Sequence, residues 1–162
     1  MTDDRLSAMA RRVIDANVYL TLATADAEGR PWASPVYFTA VGYTEIYWVS
    51  SPDARHSRNI AARPDVGIVV FDSRAAVGTA EAVYLAASAE QVAEPDLERC
   101  AGLYSGRHPA PPGSRSIGPD ELQGSALFRL YRATVTEHSV LVRGRDPELG
   151  TGVDSRVRVT LP

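Results

Sequence analysis

A mainly β fold, a closed or partly closed barrel with flanking helices, follows from three features of this 162-residue sequence. Short runs of β-branched and aromatic residues recur along the chain. Their connections are tight, which makes the pairing mostly antiparallel, and helical periodicity is confined to the start, the middle and the late third. The length and the 44% apolar content suit one compact domain over residues 1–162, and no internal repeat or second domain is visible.

The elements read in order. Leu6, Met9, Val13 and Ile14 fall at helical spacing within Arg5 to Ala16, behind Asp3 and Asp4 as N-terminal capping acids. Val18 to Thr24 and Trp32 to Thr39 are strand-like runs separated by the turn chemistry of Ala25 to Gly29, which predicts a hairpin. A turn at Val41 to Thr44 leads to a third strand, Glu45 to Ser50, whose bulky residues are placed to cover both faces. Ser51-Pro52-Asp53 then supplies an N-cap, a proline at the first helical position and an acid in the first turn, so Pro52 to Ala62 is predicted as a short helix stopped by Pro64. Strands are expected at Val66 to Phe71, Thr79 to Ala89, Leu127 to Thr136 and Arg156 to Leu161, with a helix at Asp96 to Tyr104. Ser105 to Pro119, rich in Gly, Pro, Ser and Arg, reads as a long loop.

Composition narrows the function. A formal charge of −3 with no basic stripe argues against a nucleic-acid partner. The polar start, Met1 to Arg12, lacks the apolar core of a signal peptide and no run has the length of a membrane span, so the expectation is a cytoplasmic protein with no membrane partner. The single cysteine, Cys100, has no disulfide partner and no metal-ligand spacing around it. All 17 basic side chains other than histidine are arginine, so an anion would be held by arginine, histidine or backbone N–H groups.

Tyr47 to Ile60 carries the chemistry. A strand here runs into a helix start, where unpaired N–H groups and the positive end of the helix dipole favour an anion. Arg55 and Arg58, three residues apart, share a face, and two guanidinium groups suffice to clamp one phosphate. His56 as a cation would add a third donor. The plain alternative is a solvated helix face bearing Arg55, Arg58 and Arg63.

Beyond this junction, Thr21 to Thr24, Gly29 to Phe38, Tyr47 to Ile60 and Arg63 to Val66, with weaker stretches at Val83 to Glu90 and Leu127 to Thr136, resemble the flavin-binding core of the pyridoxamine 5'-phosphate oxidase-like split barrels, including their actinobacterial deazaflavin-using relatives. The resemblance covers about half of the chain. It implies a six-stranded antiparallel split barrel of the FMN-binding type, a homodimer with one flavin in each of two clefts between subunits. It further implies that the phosphate is held by Arg55-His56, with Arg58-Asn59 one turn on, while Val49-Ser50 and Ser34-Pro35-Val36 lie along the flavin. FMN is the first expectation and the deazaflavin coenzyme the alternative. Two departures matter: the family has an arginine at Ser34 and a lysine at Thr39, and lysine is usual at His56. A histidine there makes cofactor binding weaker as the buffer turns from roughly pH 6 to pH 8, around its reference pKa of about 6.5. The part of the oxidases that binds the substrate phosphate has no match, so vitamin B6 oxidation is not the expected reaction.

Other schemes find no motif: no Gly-x-Ser-x-Gly elbow, no His-Glu-x-x-His, no phosphate loop and no dinucleotide fingerprint. Paired acids such as Asp120-Glu121 are explained by capping. Three readings remain: a flavin-dependent oxidoreductase acting on a small-molecule substrate, with the flavin supplying the redox chemistry; a flavin carrier or sensor without turnover; and a barrel that binds no flavin. The loop Ser105 to Pro119, with Arg107, His108 and Arg115, is either a cover over a substrate or a plain connection.

Overall fold

The computed structural model describes residues 2–161. Its elements are α1 (Thr2–Ala16), β1 (Tyr19–Ala25), β2 (Pro31–Tyr37), β3 (Thr39–Val41), β4 (Glu45–Ser50), α2 (Arg55–Ala62), β5 (Asp65–Phe71), β6 (Ala82–Gln91), α3 (Glu94–Ser105), β7 (Arg129–Val142) and β8 (Ser155–Val159). A single 3-10 turn, Pro119–Glu121, precedes β7.

All pairings are antiparallel, and the strand order is β2-β1-β5-β6-β7-β4-β3, with β8 added to the far end of β7. β2 and β3 are two halves of the strand expected at Trp32 to Thr39, broken at Phe38. The first half pairs with β1 and the second with β4, so this one stretch of chain reaches both ends of the path and curls the sheet into a split barrel. Counting β2 and β3 together leaves six principal strands, with β8 as an extension.

The core follows strand alternation. Ile46 and Trp48 of β4 enter the main cluster with Leu22, Val70, Val83 and the apolar face of α1. Tyr47 points the opposite way, into a second cluster with Cys100, Leu97 and Tyr104 of α3. The expectation that β4 covers both faces is met in this way. Trp48 is fully buried and stacks on Tyr131, with ring centroids 5.8 Å apart. The three-residue β3–β4 turn, Gly42 to Thr44, places Gly42 and Tyr43 at φ of 55° and 58°, and the Thr44 N–H donates to the Val41 carbonyl at 3.3 Å. Tyr43 tolerates it because its hydroxyl donates to Asp15 at 2.9 Å and its carbonyl accepts from His138 Nε2 at 2.7 Å.

Several boundaries differ from expectation. Asp3 and Asp4 lie inside the first turn of α1, which starts at Thr2, three residues before the predicted Arg5. Ser51-Pro52-Asp53 does not open the helix; it forms a separate turn in which the Ala54 N–H donates to the Ser51 carbonyl, and α2 starts three residues later than predicted. β7 runs six residues past Thr136, because its second half gains two partners, β6 and β8.

Candidate functional site

β2, at one end of the sheet path, and β4, next to the other end, face each other across the split of the barrel, and α2 packs over the gap. His56, in the first turn of α2, spans it. Its Nε2 lies 2.7 Å from Ser50 Oγ on β4 and its Nδ1 lies 3.2 Å from Ser34 Oγ on β2. Each serine hydroxyl can donate or accept, so the neutral ring, which accepts at one nitrogen and donates at the other, bridges them in either tautomer. Burial also holds the His56 pKa below its ordinary value. The expected loss of binding between pH 6 and pH 8 therefore moves lower: His56 is already neutral over most of that range in the free protein.

The two departures from the family pattern touch one another. Where the family has an arginine and a lysine, this chain has Ser34 and His56 in a neutral hydrogen-bonded pair. Thr39, where the family has a further lysine, is buried and donates to the Tyr104 carbonyl at 2.8 Å, tying β3 to α3. The positive charge at the junction consequently rests on arginine. Arg55 lies over the Trp32 ring, 4.3 Å from its centroid, and Arg58 donates to the Asp53 carbonyl, bracing the turn before the helix. Among the described residues neither pairs with a carboxylate. α2 opens on Ala54 with no side-chain cap, which leaves its first N–H groups without a side-chain acceptor. Uncapped amides, two guanidinium groups and a serine hydroxyl form a donor set that fits a phosphate.

The remaining residues expected at the site are placed differently. Asn59 faces the interior, where Nδ2 donates to Thr24 Oγ1 at 2.9 Å and fastens α2 to β1. Val36 is buried in the main core and Pro35 is exposed on the opposite face of β2. Val49 is half-buried against the α3 cluster. Their side chains do not converge with Ser34, Ser50 and His56.

Sequence reasoning missed Trp32 as the support of Arg55 and Thr24 as the anchor of Asn59. Both partners lie on strands distant in sequence, so no local spacing could have revealed them. The loop Ser105 to Pro119 is tied down. Arg107 donates to the Phe38 and Asn17 carbonyls at 2.5 Å each, and Arg115 pairs with Glu121 at 2.7 Å.

The geometry defines a split barrel with an anion-suited strand–helix junction. Residues 6–137 match the pyridoxamine 5'-phosphate oxidase family, and the chain belongs to that family. Comparison with curated proteins finds no match. Among solved structures, the chain resembles a heme-binding protein from Mycobacterium smegmatis at 23% identity and a TM-score of 0.64, with 94% of this chain and 57% of that one covered. This chain therefore spans little more than half of the mycobacterial protein's length. It is also similar to the heme storage protein HutZ from Vibrio cholerae (24% identity, TM-score 0.61, 81% and 90% covered). An FAD-binding protein from Mesorhizobium loti is a further neighbour (19%, 0.59, 82% and 91%). At these identities the likeness is one of fold. Among the described residues, no helix is long and apolar enough to cross a membrane.

Proposed function

We propose that this protein binds FMN and acts as a flavin-dependent oxidoreductase on a small-molecule substrate, working as a homodimer with the flavin at the subunit interface. One observation carries the reading: Ser34, Ser50 and His56 meet at the uncapped start of α2, beside two arginines with no carboxylate partner. When bound, the flavin supplies the electron chemistry. The chain's own residues have other tasks. Arg55 and Arg58 neutralise the phosphate, the serine hydroxyl whose proton the ring does not accept donates to its oxygens, and the neutral His56 holds the two strands at the spacing the site needs.

FMN and the deazaflavin coenzyme present the same phosphate to this junction, so both are titrated side by side. Arg55→Ala and Arg58→Ala each remove a charge-assisted contact. Each should weaken binding about ten- to a hundredfold, equivalent to roughly 1.5 to 3 kcal/mol. Unchanged affinity in both variants refutes the phosphate assignment. A flavin that binds but is not reduced by NADPH, or by reduced deazaflavin, supports a carrier in place of an enzyme. Because two of the structural neighbours bind or store heme, hemin is added in a parallel titration, and a saturable Soret shift without flavin binding would replace this reading.

A further inference from the structure

A second site lies away from the strand–helix junction. The start of β1, the end of β2 and the last turn of α3 bring three tyrosines together. Tyr37 is edge-to-face with both Tyr19 and Tyr104, at centroid distances of 6.3 and 5.9 Å. With the Pro111-Pro112-Gly113 segment above them, they line a cleft of about 290 Å³.

Three features distinguish this cleft from ordinary packing. Tyr19 is 60% exposed at a place where a large aromatic ring gains nothing from water. Among the described residues none of the three hydroxyls is hydrogen-bonded to another protein group, which leaves each one free to meet a ligand; Tyr104 as a whole is 8% exposed. The one charged side chain lining the cleft, Arg115, is paired with Glu121.

We infer that this cleft binds a small, neutral, planar ring system carrying a carbonyl-type acceptor, held edge and face by Tyr19 and Tyr37 and hydrogen-bonded by the Tyr104 hydroxyl. The volume suits one or two fused rings and is too small for a protein helix, whose diameter with side chains is about 10 Å. Neutral rim groups favour an uncharged ligand, and the aromatic walls favour a flat one. Burial, with Tyr37 beside it, pushes the Tyr104 phenol up to about 12, so it remains a donor throughout the working pH range. The inference does not depend on flavin binding.

Chromone, a neutral bicyclic ketone, is the probe, and 2-naphthoate is its anionic counterpart of similar size. Both are titrated into the full chain by calorimetry, and saturation-transfer NMR follows the ring protons. Saturable chromone binding is expected, with 2-naphthoate weaker. Tyr104→Phe, which keeps the packing, should weaken chromone about three- to tenfold by removing one hydrogen bond. Tyr19→Ala, a change at an exposed position, should weaken it similarly by removing one ring contact. Tighter binding of the anion, no saturable binding of chromone, or equal affinity in wild type and both variants would each overturn the assignment. So would a sedimentation experiment in which Tyr19→Ala dissociates a dimer, since the cleft would then be filled by a second copy of the chain.

Discussion

Replacing His56 tests whether the barrel split is held by a neutral bridge. The imidazole joins Ser34 on β2 to Ser50 on β4 through contacts of 3.2 and 2.7 Å, and no other side-chain hydrogen bond among the described residues links these two strands. Two neutral hydrogen bonds are worth about 0.5 to 1.5 kcal/mol each, so His56→Ala should cost about 1 to 3 kcal/mol. That is a substantial share of a typical domain stability of about 5 to 15 kcal/mol. The pH dependence provides an independent check. Burial lowers the folded-state pKa of His56 below its unfolded value of about 6.5. The unfolded chain therefore binds the proton more readily, and His56's contribution is complete above about pH 6.5 and declines as the pH falls. Urea unfolding at pH 7.5 and pH 5.5 measures both effects. His56→Gln, which can still donate and accept but does not titrate, should retain much of the stability at pH 7.5 and lose this component of the pH dependence. If His56→Ala lies within about 0.5 kcal/mol of wild type, or if His56→Gln shows the same acid sensitivity as wild type, the bridge is not what holds the split.

Two further outcomes concern stability. Trp48→Ala should cost about 3 to 5 kcal/mol in the same assay, because Trp48 is fully buried and stacked on Tyr131. Trp48→Phe should cost well under that, since it keeps a ring and removes an indole N–H that has no hydrogen-bond partner. Near the C-terminal end, Arg5 and two backbone N–H groups hold the Asp146 carboxyl down to about 2. Its contribution is present above about pH 4 and is lost as the pH falls towards 2, so Asp146→Asn should flatten that acid limb in a thermal-melt series.

The fold was legible because it rests on signals that are local in the chain. Strand β4 matches its predicted bounds, Glu45 to Ser50, since a run of bulky residues between a tight turn and a proline leaves little choice of register. The break of the second strand at Phe38 was not legible, because it arises from where the chain must cross from β1 to β4. The helix start was misplaced for a similar reason. Ser51-Pro52-Asp53 has the composition of a cap, but Ser51 Oγ accepts the N–H of Asp53, and the Arg58 guanidinium braces the Asp53 carbonyl, making the segment a turn.

By itself the sequence determined that a cationic strand–helix junction exists between Val49 and Asn59, because that depends on residue type and spacing over one helical turn. Which of those residues act together was decided only by tertiary structure. The closing of the barrel places Ser34 opposite Ser50, leaves His56 as the neutral link between them, turns Asn59 inwards to Thr24 and sets Arg55 on Trp32. Ser50 and His56 are six residues apart, but Ser34 and His56, Arg55 and Trp32, and Asn59 and Thr24 are separated by 22 to 35, and contacts of that range follow from how strands pair rather than from any local pattern.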